Sequence, residues 1–339
     1  MKLIKTEDAV GHVLCHDITC IIKDEYKGAK FKKGHIVKKE DIAVLLSMGK
    51  ENLYVWEKTV GKLHENEAAR RLCVVCKNDN MTESVVSEGK IELKADIDGL
   101  FLVNTEKLKL INSIDEIIIA CRKGNTRVSK NDKLCGTRVI PLVIEESKIE
   151  LAEKIADNTP IFELKPFTMK TAGVVTTGSE VYYGRIEDQF TPVIIEKLRE
   201  YNITVTQHIT VDDKTINIQK AITDIKSKNV DIIICTGGMS VDPDDNTPGA
   251  IKNSGANIVT YGAPVLPGAM FLLGYFDDGI PIVGLPGCVM YAKATVFDLV
   301  MPRLAARIRM IKDDFVTMGE GGLCLGCKDC TYPHCAFGK

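Results

Sequence analysis

The stretch Val230 to Pro248 reads Val-Asp-Ile-Ile-Ile-Cys-Thr-Gly-Gly-Met-Ser-Val-Asp-Pro-Asp-Asp-Asn-Thr-Pro and concentrates several kinds of chemistry. Thr236, Gly237, Gly238, Met239 and Ser240 offer hydroxyls and backbone amides with little side-chain bulk between them, an inventory suited to an anion such as phosphate. Asp242, Asp244 and Asp245 add carboxylates, which beside a phosphate imply a hard cation between the two, most simply Mg2+. Thr247-Pro248 fits an N-cap followed by proline at the first helical position, where phosphate is again favoured. A second segment, Thr176-Thr177-Gly178-Ser179-Glu180, repeats the hydroxyls, the glycine amide and the carboxylate. Glu180 and Asp245 are therefore the candidate catalytic pair, suited to hold a divalent cation or to move protons. The plainer reading is that Thr-Gly-Ser and Thr-Gly-Gly only close tight turns. Neither segment is a P-loop or a Gly-x-Gly-x-x-Gly dinucleotide loop, so ATP hydrolysis of the common kind and NAD chemistry lose support.

Loops of this kind need strands to deliver them. From Lys170 onward apolar runs alternate with amphipathic ones. Strands are expected over Thr171 to Thr176, Ile203 to Ile209, Asp231 to Cys235 and Ile280 to Val283, with another extended piece at Ile258 to Tyr261. Helices are expected over Pro192 to Tyr201, Thr215 to Lys228, Thr247 to Ser254 and, as one long element, Cys288 to about Arg309. The alternation predicts an α/β domain with a parallel or mostly parallel sheet covered on both faces, a three-layer arrangement. Ligands in such sheets bind beyond the carboxyl ends of the strands. Three loops then belong on one edge: Thr176 to Glu180, Thr236 to Asp245, and Leu285 to Cys288, the last contributing Pro286 and Gly287.

The rest of the chain carries less chemistry. Residues 1–62 read as a small α+β unit with a helix over Lys39 to Met48 and short apolar runs such as Asn52 to Trp56. Residues 63–165 read as a β-rich module with a helix-prone Glu65 to Cys73. His12, Cys15, His16 and Cys20 fit no common metal site, and Cys73-Val-Val-Cys76 reads as a buried thiol pair. The α/β domain is placed at 166–312 and a cysteine-rich tail at 313–339. In that tail Cys324, Cys327, Cys330 and Cys335 give C-x2-C-x2-C-x4-C with His334 adjacent, similar to an iron-sulfur binding run, with zinc as the alternative.

Composition narrows the function classes. With 339 residues, 44 basic and 46 acidic side chains and a formal charge of -2, the chain has no global attraction for nucleic acid or anionic membranes. The most apolar run, Val265 to Phe276, is interrupted by Pro267, Gly268 and Gly274, so no bilayer-spanning segment is expected. The opening residues lack a signal-peptide core, and the expected location is the cytoplasm, where twelve cysteines are thiols or metal ligands rather than disulfides.

At the loop residues the sequence resembles the molybdopterin-binding domain of molybdopterin adenylyltransferases and molybdopterin molybdenumtransferases. The resemblance is carried by Val175-Thr176-Thr177-Gly178-Ser179-Glu180, by Thr236-Gly237-Gly238-Met239-Ser240-Val241 with Asp245, by Thr247-Pro248, and by Leu285-Pro286-Gly287, and spans roughly Lys170 to Arg309. Segments before Lys170 are similar only loosely to the extra domains of molybdenumtransferases. In both relatives an aspartate stands where Asp245 does. The family's first loop often reads Thr-Gly-Asp-Glu; here Ser179 replaces the aspartate and Glu180 is the remaining acid. Asp244 stands where adenylyltransferases tend to carry arginine. The resemblance implies binding of molybdopterin or its adenylylated form, Mg2+-dependent adenylyl chemistry or molybdate insertion, molybdate or ATP as further partners, and a homo-oligomer. The alternative is a non-catalytic molybdopterin carrier or sensor whose cysteine tail responds to metal or redox state; a nucleotide-pyrophosphate hydrolase is a third reading.

Overall fold

The computed structural model describes residues 2–22, 26–55, 60–240, 242–243 and 245–339. Trp56, Val241 and Asp244, used above, lie outside the described residues. The chain divides into two compact units: residues 1–96, 103–122 and 130–163 form the first, and 97–102, 123–129 and 164–339 the second.

In the first unit, Lys2–Lys5 pairs antiparallel with Asn52–Val55, and Ile18–Ile22 with Tyr26–Phe31. The helix Lys39–Ser47 closes a small core of Leu14, Ile18, Phe31, Val37, Leu45 and Leu53. Beyond it, an antiparallel sheet runs in the order Met81–Glu83, Lys90–Ala95, Lys133–Val139, Ile117–Cys121. Ile91, Leu93 and Ala95 alternate with more exposed residues, as a strand with one core face requires. The helix Glu65–Cys76 buries Ala68, Ala69, Leu72, Cys73 and Cys76 and packs on this sheet. Arg71 ties that helix to Glu146–Ala156 through Glu146 at 2.7 Å and Glu153 at 2.8 Å.

The second unit is built on a sheet in the order Thr204–Val211, Thr171–Thr177, Ile232–Thr236, Pro281–Leu285, Leu272–Tyr275, Asn257–Tyr261. The first four strands are mutually parallel, and the last two run antiparallel to their neighbours. Alternate residues of the central strands enter two different cores. Val174, Ile232, Ile234, Val283 and Leu285 meet Ile194, Leu198, Val300 and Leu304 on one face. Val175, Ile233, Cys235 and Ile282 meet Ile218, Ile222, Ile225 and Ile251 on the other. Burial on both faces is why these strands read as continuous apolar runs. The expected α/β architecture with a mostly parallel sheet between two helical layers is what the chain adopts.

Most elements fall within two or three residues of their sequence positions; two differ in kind. The long helix expected from Cys288 is instead a short 3-10 turn, Gly287–Met290, followed by a helix over Val296–Ala305. Thr295 starts that helix afresh: its hydroxyl accepts from the Phe297 amide at 3.2 Å, and Asp298 accepts from the Thr295 amide at 2.7 Å, a reciprocal cap. The strand Leu272–Tyr275 was not anticipated, because its glycine and the nearby Pro267-Gly268 masked it; its antiparallel pairing on both sides gives Gly274 a place where a side chain would press on Ile258. Among the described residues no helix is long and apolar enough to cross a membrane.

Candidate functional site at the carboxyl ends of the parallel strands

Register alone brings the loops together. Thr177 pairs with Val211, Thr176 with Thr236, and Thr236 with Leu285, so the four parallel strands end level with one another. Asp231 sets the other end: its carboxylate accepts from the Lys170 amide at 2.7 Å and the Thr171 amide at 3.0 Å and pairs with Arg307. Strand order reverses between Thr171–Thr177 and Ile232–Thr236, because the chain leaves the first toward Thr204–Val211 and returns across it to the second. In open α/β sheets ligands bind outside the carboxyl ends of the strands at such a reversal. The loops at Gly178 and Gly237 start there.

The two loops interlock. The Thr177 and Thr247 hydroxyls lie 3.0 Å apart, and both residues are buried. The Thr247 amide donates to the Gly238 carbonyl at 3.2 Å. A Cβ on Gly237 would stand 2.1 Å from the Thr177 carbonyl oxygen, and one on Gly238 2.9 Å from the Thr247 hydroxyl; both glycines also hold positive φ, +84° and +52°. These glycines therefore serve loop-to-loop contact, a reason that the sequence pattern alone does not reveal. Asn246, rather than Thr247, occupies the N-cap position of the helix Thr247–Asn253; its side-chain amide donates to the Asp213 carbonyl at 3.0 Å.

Asp212 and Asp213, which follow Thr204–Val211, form a fourth loop on this edge that sequence reasoning missed. The Ser179 amide donates to the Asp213 carboxylate at 2.7 Å, so a carboxylate of the protein takes up an amide expected to be bare. Asp212 is buried and accepts from the Asn217 side chain at 2.7 Å, fixing the start of the helix Thr215–Lys226. The signal was present as an Asp-Asp pair directly after a strand.

Thr176 faces a different group of side chains. Its hydroxyl donates to Asp188 at 3.1 Å and lies 3.0 Å from the Thr191 hydroxyl and 2.9 Å from His208 Nε2. Asp188 also accepts from the amides of Phe190 at 2.8 Å and Thr191 at 3.0 Å, at the start of the helix Phe190–Arg199. Burial works to raise the Asp188 carboxyl, but hydrogen bonds from the Thr191 hydroxyl and amide, the Phe190 amide and the Thr176 hydroxyl outweigh it and hold it below the usual range.

Of the other expected residues, Glu180 and Asp242 are exposed, as are Ser240 and Gly287; Asp245 is half-buried and Pro286 buried. The Asp242 amide donates to the Asp245 carboxylate at 3.3 Å and the Asp245 amide to the Asp242 carbonyl at 2.9 Å, a small closed turn. Met239 sends its side chain into the apolar core against Gly284, while the Tyr261 hydroxyl holds its carbonyl at 3.1 Å. Thr236 is fully buried, and its hydroxyl has no hydrogen-bond partner among the described residues. Leaving such a group unpaired costs on the order of 1–3 kcal/mol. Among the described residues no three His, Cys, Asp or Glu side chains are placed to share one metal ion. Neither the Glu180 and Asp245 pair nor the tail cysteines Cys324, Cys327, Cys330 and Cys335 thus form a ready-made cage of that size.

A domain of the molybdopterin-binding type accounts for this arrangement: residues 173–306 match the model described as a probable molybdopterin binding domain. Residues 3–57 match a second model, described as a domain of unknown function. Over 86 residues the chain is 36% identical to a CinA-like protein of Pseudothermotoga lettingae, covering 25% of this chain and 21% of that protein. Over 77 residues it is 35% identical to a CinA-like protein of Mycobacterium tuberculosis, covering 22% and 18%. The matched part thus spans about a fifth of the length of these curated relatives. Among solved structures it is similar to the Mog molybdopterin biosynthesis protein of Mycobacterium ulcerans, at 22% identity and a TM-score of 0.33, covering 40% of this chain and 91% of that one. It is also similar to a CinA protein of unknown function from Thermoplasma acidophilum, at 17% identity and a TM-score of 0.34, covering 40% and 98%.

Proposed function

We propose that the second unit binds molybdopterin, or its adenylylated form, over the carboxyl ends of the parallel strands, against the loops at Gly178 and Gly237, and assists assembly of the molybdenum cofactor. The observation that carries this reading is the level ending of four parallel strands at a topological switch point, within a segment that matches a molybdopterin-binding model. The Thr236 hydroxyl, at the end of a central strand, is without a partner among the described residues, but its full burial keeps it from a ligand while the loops stand as they do. Ser240 and Gly287 stand exposed beside it for further contacts.

Glu180 and Asp245 suit Mg2+ in the manner usual for phosphate substrates, in which one or two carboxylates share the ion with phosphate oxygens and water. When bound, the ion would neutralise charge on a phosphoanhydride as it is made or broken. The residues of the chain position and exclude: the Thr177 and Thr247 contact fixes the loops, Asp213 holds the first loop through the Ser179 amide, and Asp245 offers a half-exposed carboxylate. ATP or molybdate as co-substrate, a homo-oligomeric state and a cytoplasmic location belong to the same proposal, as does the four-part division at 1–62, 63–165, 166–312 and 313–339.

The alternative, a non-catalytic carrier or sensor, draws on the same hydrogen bonds: the hydroxyls of Thr176 and Thr177 and the Ser179 amide already have partners inside the protein. Incubation with molybdopterin, ATP, Mg2+ and molybdate separates the two, because only the enzyme yields adenylylated product or loaded cofactor. Asp245→Asn is expected to abolish turnover while molybdopterin still binds; undiminished turnover removes the role given to Asp245, and failure of the wild type to bind molybdopterin removes the whole reading.

A further inference from the structure

The C-terminal segment makes hydrogen bonds to Leu266, Gly321 and Asp298. Past Gly322 the chain forms no helix, and its only β contact among the described residues is a single parallel bridge between Leu323 and Leu266. Its ends are nevertheless fixed. The Leu266 amide donates to the Gly322 carbonyl and the Cys324 amide to the Leu266 carbonyl, both at 2.8 Å. The Gly338 amide donates to the Gly321 carbonyl at 2.9 Å, so the chain departs from and returns to one point. Phe337 is buried in the core that contains Val296 and Val300, and the Tyr332 hydroxyl donates to the Asp298 carbonyl at 3.2 Å. A closed loop clamped at its base and along one side results.

The cysteines divide along that loop. Cys324 and Cys335 are half-buried and pack against the core, whereas Cys327 and Cys330 are exposed. Gly326, at a φ of +63°, turns the chain between Cys324 and Cys327, a conformation that suits glycine. The His334 amide donates to the Thr331 carbonyl at 2.6 Å and makes a second turn between Cys330 and Cys335. Leu325, at 77% exposure, adds no burial, so apolar packing does little to order the middle of the loop.

We propose that this loop binds an iron-sulfur cluster through the thiolates of Cys324, Cys327, Cys330 and Cys335. Three thiols at x2 intervals are the spacing of bacterial ferredoxin runs, in which a fourth follows after x3; here it follows after x4. A structural zinc ion instead draws four ligands to within bonding distance of one centre. Four thiols on one short loop admit zinc as well, and the assay for iron, sulfide and zinc tells the two apart. Binding is written as transfer of a preformed cluster from a small-molecule thiolate donor. Each cysteine releases its proton to solvent as its sulfur bonds to iron, the donor thiolate leaves with that proton, and no oxidation state changes.

The proposal is independent of the molybdopterin reading. The test uses the full chain purified without oxygen, assayed for iron, acid-labile sulfide and zinc before and after incubation with a small-thiol-ligated iron-sulfur cluster. Iron and sulfide in equal amounts, retained on gel filtration, are expected. The double variant Cys327→Ser/Cys330→Ser, whose positions are exposed and make no packing contact with the core, is expected to lose them with an unchanged far-UV circular dichroism spectrum. Cys20→Ser, outside the loop, is expected to keep them. Zinc without iron, no iron after incubation, or full iron in the double variant would each overturn the assignment.

Discussion

Two carboxylates, one in each unit, sit at the start of a helix and behave oppositely. Asp188 precedes Phe190–Arg199 and accepts two backbone amides and two hydroxyls. It is held below the ordinary range although burial opposes this. Glu65 opens the helix Glu65–Cys76, yet the capping bond there belongs to His64, whose Nδ1 accepts from the Asn66 amide at 3.1 Å. Glu65 is left buried near Glu88, and burial first, then the Glu88 charge, raise it to about 7 against the pull of Lys33 and Arg138. A helix N-terminus favours an anion only where its amides point at that anion. Donors decide, and proximity to the helix end does not.

Removing the donors' target tests this most strongly. Asp188→Ala would strand the Phe190 and Thr191 amides and remove the acceptor shared by the Thr176 and Thr191 hydroxyls, and a loss of about 3 kcal/mol is expected in urea denaturation at neutral pH. A loss no greater than that of a surface acid would break the comparison. Because the folded carboxyl of Asp188 lies below its unfolded value near 3.8, its contribution is present above that pH and disappears as pH falls through the lowered value.

Glu65 has the opposite sign. Between its unfolded value of 4.5 and about 7 the folded state binds the extra proton, so its contribution is complete below 4.5 and is lost as pH rises to about 7. After allowance for solvent screening, wild type is expected to lose on the order of 1–2 kcal/mol relative to Glu65→Gln between pH 5 and pH 8. Parallel pH profiles for the two proteins would show that Glu65 does not titrate there. The smallest effect is expected at Glu92, held at about 2 by Lys90 and Lys133 on the surface of the same unit. Glu92→Gln is expected to change the thermal midpoint by the equivalent of about 0.5 kcal/mol or less.

These contrasts also mark what a linear reading reaches. The strands Thr171–Thr177 and Ile232–Thr236 were legible because burial on both faces writes itself as an unbroken apolar run, and the placing of three loops on one edge followed from the order of strands. What escaped depends on partners remote in sequence. Gly237 is needed because of Thr177, sixty residues earlier; Asp213 matters because of Ser179; Asp188 gathers a histidine from the next strand. The break before Val296 was, by contrast, written locally as Thr295 followed by Asp298, and an apolar periodicity hid it.

The contact between the Thr177 and Thr247 hydroxyls, with Gly237 and Gly238 nested against them, has a thermodynamic corollary. That contact is set when the chain folds, before any ligand of the kind proposed could bind. Association there should forfeit little additional disorder in the backbone, and selectivity will depend on how well the newcomer's shape matches a mould already set.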